Sequence, residues 1–204
     1  MPKQAFRHIL KEDILSTQPN NHFVKLIEPQ NVQHKNTLRE VEIVDIPDDT
    51  LILRADKMSS PLFRENDTFC NCHKPSRYRK KCDYIVVTEF DHNNYIIYIE
   101  MKTSARSQEH IPQLWCGRCF VEYLLFSISH FEKELQQPSI FIHRYVKFYS
   151  IPEDKDTTAL TDDETNNIPP KMILVNDVTK NAYSCCVKAG IPIPIKALIY
   201  EYNH

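Results

Sequence analysis

The sequence predicts a mixed α/β domain, a central β-sheet with flanking helices, and three observations lead there. First, two runs of β-branched and aromatic residues, Tyr84–Phe90 and Tyr95–Met101, flank Asp91-His92-Asn93-Asn94, which is the pattern of a β-hairpin. Second, a helical pattern follows Ser107: Ile111, Leu114, Trp115, Cys119, Val121, Leu124 and Leu125 form a broad apolar stripe running towards Phe131, and Pro112 suits a first turn. Third, another apolar strand, Phe141–Ile151, lies between Pro138 and Pro152. A hairpin, a long helix and a further strand in this order make a sheet with a crossover helix.

Residues 1–37 read as an N-terminal helical arm, with a short helix at 5–15, where apolar residues recur at near-helical spacing. The core then runs over 38–151. Leu38–Asp45 alternates polar and apolar residues, Asp48-Asp49 makes a turn, and Leu51–Arg54 is the return strand of an expected hairpin. Residues 55–82 are irregular and end in a basic run. Residues 152–204 extend the same domain. They comprise an acidic, Thr-rich loop at 153–170, a short strand at Met172–Val175 and a β-rich C-terminus over Ile191–Tyr202, whose prolines suit an edge.

Composition bounds the function. At 204 residues, 42% hydrophobic and 25% charged, the chain can bury a core without staples. Gly117 and Gly190 are its only glycines, which excludes Gly-rich phosphate loops and dinucleotide fingerprints. The net charge of −2 announces no nucleic-acid partner by itself. The N-terminus lacks the features of a signal peptide and no apolar run is long enough to span a membrane, so a cytoplasmic location is expected. Seven irregularly spaced cysteines then read as reduced thiols.

The chemistry concentrates at the open end of the central hairpin. Asp83 opens its first strand; Glu100 and Lys102 close the second. Alternation puts Glu100 and Lys102 on one face and Met101 on the other. Asp83 joins them if the turn has an even number of residues. A two-residue turn at Asp91-His92 sets it opposite Glu100 and a four-residue turn opposite Lys102, whereas three residues would send it to the other face. Two carboxylates and an ammonium meeting at a strand end are not a core-packing motif. They form an oxygen-rich site of the kind a hard divalent cation prefers.

The string KCDYIVV…YIIYIEMKTS resembles the second and third core strands of the PD-(D/E)XK nuclease superfamily. The resemblance extends over roughly 38–151 and implies a restriction-endonuclease-like core. It implies that Asp83, Glu100 and the Met101 carbonyl hold Mg²⁺, with Mn²⁺ able to substitute. It also implies that Lys102 orients or activates water, and that Gln113, on the following helix, supports the site. Cys82 stands where the motif often has Pro, and Glu40 and Glu65 are the candidates for an additional acidic residue. The activity implied is Mg²⁺-dependent hydrolysis of phosphodiester bonds in DNA rather than RNA. A homodimer or partner protein would choose the target, as in restriction or anti-phage defence systems.

The basic residues Lys74, Arg77, Arg79, Lys80 and Lys81 just ahead of Asp83 are candidates for phosphate contacts, with Tyr78 available to stack on a base. Arg144 and Lys147 could add to that positive surface. Cys70, Cys72, His73 and Cys82 are zinc-type ligands, but C-x-C-H is not a zinc-knuckle spacing and structural zinc is not expected. Cys116 and Cys119 share a helical face and read as core cysteines. Two other functions compete with the nuclease: a non-catalytic nucleic-acid-binding or protein-interaction scaffold of the same fold, and a zinc-stabilised adaptor.

Overall fold

The computed structural model describes residues 6, 10, 22–27, 40–55, 81–102, 110–131, 141–149, 173–174, 182–186 and 192–199. These form a mixed α/β arrangement of nine strands and two helices in two sheets. The strands are β1 (Val24–Ile27), β2 (Glu40–Val44), β3 (Leu51–Arg54), β4 (Tyr84–Phe90), β5 (Asn93–Lys102), β6 (Phe141–Tyr149), β7 (Ile173–Leu174), β8 (Ala182–Cys186) and β9 (Ile193–Pro194). The helices are α1 (His110–Phe131) and α2 (Lys196–Ile199). The larger sheet has the order β3-β4-β5-β6-β8-β7, and the smaller β1-β2-β9.

The centre of the larger sheet follows the sequence closely. β4 and β5 pair antiparallel, with Phe90 beside Asn93. The turn is therefore the two residues Asp91 and His92, both at positive φ (46° and 62°), as a tight hairpin matched to strand twist requires. From β5 the chain crosses through α1 and returns as β6, parallel to β5 over nine residue pairs from Asn94–Phe141 to Lys102–Tyr149. A parallel return needs such a crossover, and α1 supplies it.

The central strands of this sheet bury both faces. Ile52, Tyr84, Val86, Ile97, Ile99, Met101, Val146 and Phe148 pack with the small sheet and α2. The alternate residues Leu51, Leu53, Ile85, Val87, Ile96, Tyr98 and Tyr145 pack with α1 through Leu114, Phe120, Val121, Leu124 and Ile128. Tyr84 ties the sheets together, donating to the Ile27 carbonyl at 2.6 Å and accepting from the Ile27 N–H at 2.9 Å.

Four expectations change. β2 and β3 are not a hairpin: β2 pairs with β1 and β9, and β3 with β4. The burial of β3 explains this. It is covered on both faces and fits only the two-sided sheet, whereas β2 alternates and fits a sheet covered on one side. Val24–Ile27, inside the expected helical arm, is a strand antiparallel to β2; of residues 5–15 only Phe6 and Leu10 are described, joined by a Leu10 N–H bond to the Phe6 carbonyl at 3.0 Å. The C-terminal stretch is a two-residue strand followed by a helical turn whose Ala197, Leu198 and Ile199 are buried. On α1, Trp115 and Cys119 belong to the exposed side, because the buried stripe runs through Gln113, Leu114, Phe120, Val121, Leu124 and Ile128. β8 is a strand that the sequence pattern does not announce, and the acidic 153–170 loop lies outside the described residues.

Candidate functional site

The site is built on the α1 side of β5 and β6. Moving along β5 towards its C-terminus, the side chains facing α1 change from Ile96 to Tyr98, then Glu100 and Lys102. Along β6 the corresponding residues are His143, Tyr145, Lys147 and Tyr149. The aromatic level is closed: Tyr98 stacks on Tyr145 with centroids 5.2 Å apart and meets the His143 Nδ1 at 3.0 Å through its hydroxyl. Above that level the pattern turns ionic. Glu100 is fully buried and Lys147, beside it in the register, is 1% exposed.

Glu100 and Lys102 form an ion pair between Lys102 Nζ and Glu100 Oε1. The lysine side chain is 24% exposed, whereas that of Glu100 is fully buried. Neither Glu100 oxygen makes a hydrogen bond of ordinary geometry among the described residues. Burial, and next the negative charge of Asp83, push the Glu100 carboxyl up to about 8; Lys102 opposes that rise.

Asp83 sits one residue before β4, where the ladder ends. Its N–H donates to the Ile99 carbonyl at 3.0 Å and its carbonyl accepts from the Ala55 N–H at 3.0 Å. Its Oδ2 accepts from the Met101 N–H at 2.7 Å, which turns the carboxylate onto β5. The even-length turn therefore brings Asp83 to the Glu100 end of the hairpin. It arrives as a cap on the β5 backbone rather than as one more rung of the ladder. The Met101 side chain is in the opposite core.

Gln113 comes to the same level through α1. A Cβ on Gly117 would lie 2.5 Å from Cys82 Sγ and 3.2 Å from Tyr98 Cδ1, so the helix touches the sheet there because position 117 carries no side chain. In a parallel crossover α1 runs against β5. Four residues back along the helix are about 6 Å, and two residues up the strand are about 6.6 Å. Gln113 is thus level with Glu100, and its Oε1 is buried without a hydrogen-bond partner among the described residues.

Two hard-oxygen carboxylates, one of them in a water-poor setting that disfavours its charge, suit a small divalent cation. The described residues contain no cluster of three or more His, Cys, Asp and Glu. Mg²⁺ needs none, being held by one or two carboxylates together with water and substrate oxygens.

The remaining candidates separate. Arg144 is on the opposite face, where Nε donates to the Ile199 carbonyl at 3.0 Å and the guanidinium lies over Tyr95. It anchors α2 rather than adding to a positive surface. Lys147 is buried, not superficial. Glu40 is the first residue of β2, the central strand of the small sheet, where it accepts from Lys25 Nζ at 3.4 Å, and takes no part in the site. Lys81 is half-buried over the Phe120 ring, and burial lowers its ammonium below the usual lysine value. Lys74, Arg77, Arg79, Lys80, Cys70, Cys72, His73 and Glu65 lie outside the described residues. Cys82 is buried and Cys119 exposed, so Cys116 and Cys119 are not the core pair that their spacing suggested.

Lys147 is the member that sequence reasoning misplaces. A lysine between Val146 and Phe148 gives no local sign of burial, because the same strand also carries His143 and Arg144.

No family model matches this chain, and neither does any curated protein or solved structure. No described helix is long and apolar enough to cross a membrane.

Proposed function

We propose that this protein is a Mg²⁺-dependent nuclease with a restriction-endonuclease-like core, hydrolysing phosphodiester bonds in DNA. The observation that carries the reading is the Glu100–Lys102 ion pair on one face of a buried strand end, with the Asp83 carboxylate turned onto the same strand. Resemblance to the PD-(D/E)XK superfamily supports it, and so does a crossover helix that brings Gln113 level with Glu100.

Asp83 and Glu100 would hold the cation, with the Met101 carbonyl as the third oxygen the resemblance suggests. The cation would supply Lewis acidity at the phosphate and lower the pKa of water. The chain's own groups divide the remaining work. Asp83 is oriented by the Met101 N–H, so its other oxygen has a fixed direction. Lys102 is partly exposed, and its ammonium would leave Glu100 to orient a water or meet negative charge on the phosphate. Gln113 offers a buried amide to position water or a carboxylate. The Tyr98–Tyr145 layer beneath keeps bulk water from the buried side.

The test is incubation of purified protein with plasmid, linear and single-stranded DNA and with RNA, in Mg²⁺, Mn²⁺ or EDTA, beside Lys102→Ala. Metal-dependent cleavage that disappears in the variant is the expected result. Binding without cleavage in every metal would favour the scaffold of the same fold instead.

A further inference from the structure

Cys116-Gly117-Arg118-Cys119 on α1 is a motif that neither the core nor the charged face absorbs. Both cysteines carry thiols; Cys119 is exposed and Cys116 half-buried, so core packing does not account for the pair. Three residues along an α-helix separate Cα atoms by about 5 Å, inside the roughly 4.4–6.8 Å that a disulfide spans. Cβ atoms at that spacing are about 5–6 Å apart, whereas a disulfide needs roughly 3.5–4.5 Å. The turn must therefore tighten by about 1 Å, towards 3₁₀ geometry, in which side chains three apart eclipse. Gly117 makes that movement cheap, because glycine holds a helix more weakly than any residue but proline. It also faces the sheet, seated against Cys82 and Tyr98. At 3.6 residues per turn both cysteines lie on one flank, about 100° and 160° round from Gly117. Closure draws together the outer side of the turn and leaves that seat in place.

The two thiols are near enough to act on each other. Burial, and next the charge of Cys119, push the Cys116 thiol up, and the Lys81 ammonium opposes that rise. The pair is in mid-helix, away from the N-terminal dipole that activates many Cys-x-x-Cys thiols. We propose that Cys116 and Cys119 are a reversible dithiol–disulfide pair, a modification site for low-molecular-weight disulfides such as glutathione disulfide. The exposed Cys119, as thiolate, attacks one sulfur of glutathione disulfide, forming a mixed disulfide and expelling a glutathione thiolate. Cys116, deprotonated beside Lys81, then attacks Cys119 Sγ; the bond to glutathione breaks and a second glutathione thiolate leaves. Two cysteine thiols are oxidised, one glutathione disulfide is reduced to two glutathione molecules, and the two cysteine protons end on them. A bond that tightens its turn and lies partly in solvent is of the kind readily reduced again. The inference is independent of the nuclease reading.

Mapping the oxidised cysteines tests this without DNA or metal. Reduced, folded full-length protein is incubated with glutathione disulfide in EDTA, blocked with N-ethylmaleimide, digested with trypsin and weighed by mass spectrometry. Trypsin cuts after Arg118, so the two cysteines fall on separate peptides, residues 107–118 and 119–133. The expected product is those two peptides joined by a disulfide, which dithiothreitol separates. Cys116→Ser should stop at a glutathione adduct on Cys119. Cys119→Ser should leave Cys116 unmodified over the time in which the wild type closes. Wild-type protein that stops at the Cys119 adduct, or that joins Cys119 to a different cysteine or to a second copy of the chain, would overturn the pairing. Glutathione on Cys116 in Cys119→Ser at the wild-type rate would overturn entry through Cys119. The wild-type map decides the pairing even if neither serine variant folds.

Discussion

The two faces of β5 are built from alternate residues of one strand and do opposite things. Towards the small sheet and α2 it presents Tyr95, Ile97, Ile99 and Met101, an apolar face to its end. Towards α1 it begins in the same way with Ile96, then becomes aromatic at Tyr98 and ionic at Glu100 and Lys102. The dry face is held by packing that any aliphatic of the right volume could supply. The α1 face keeps a buried carboxylate whose charge is opposed by burial and by Asp83. Burying charge lowers stability unless partners offset it, so a fold that retains it on one face needs a sound core on the other. That asymmetry separates the residues that hold the protein together from those proposed to act.

The sharpest way to break the comparison is to swap the consequences of mutation. Lys102→Ala should lower cleavage by roughly 10²–10⁴-fold, the range lost with a proton-transfer or water-orienting group, and, because it removes the partner of a fully buried carboxylate, should also lower the urea midpoint. Ile99→Ala, one face over, should lower the midpoint alone. Deleting those buried methyls should cost about 2–5 kcal/mol in urea unfolding, with kcat within a few-fold once the protein is folded.

Gly117→Ala probes the seam between α1 and the charged face. Alanine normally favours a helix over glycine by about 1 kcal/mol, but here the new Cβ would meet Cys82 Sγ at 2.5 Å. Overpacking should win, with a net cost of about 1–3 kcal/mol. Activity should fall as well, because Gln113 shifts with the helix.

A pH series distinguishes the faces more gently. The Glu100 carboxyl titrates near 8 in the metal-free fold, against an unfolded value of about 4.5. Between those values the native state binds more protons than the unfolded chain, so the Glu100 contribution makes stability fall as pH rises from about 4.5 to 8. Thermal midpoints in EDTA should show this decline, Glu100→Gln should flatten it, and Ile99→Ala should leave its slope intact. The smallest effect belongs outside both faces: Phe126, 69% exposed on α1, should tolerate Phe126→Ser within about 0.5 kcal/mol.

How much of this is legible in the sequence follows from the same geometry. The hairpin, the crossover helix and the strand after it are readable because their β-branched runs and helical stripe are long and local. The two-residue turn is one of several possibilities, since Asp91-His92-Asn93-Asn94 offers more than one way to close and only the pairing of Phe90 with Asn93 decides it. The separation of β2 from β3 is not readable, because two short strands joined by Asp48-Asp49 look like a hairpin whichever sheets they join. Lys147 is legible as a charge but not as a buried one; its strand lies between β5 and β8, and neither relation is local in sequence. Trp115 and Cys119 look like core residues because an apolar residue on a helix carries no sign of which side is covered.

The most direct test of the central claim, that the charged end of the α1 face is a metal-dependent phosphodiesterase centre, is the rate of plasmid nicking in Mg²⁺ by wild-type protein, Lys102→Ala and Ile99→Ala, each confirmed folded. Nicking by the wild type and by Ile99→Ala, abolished by EDTA and by Lys102→Ala, is the result the two-face account predicts. Nicking that survives in Lys102→Ala or persists in EDTA would contradict it.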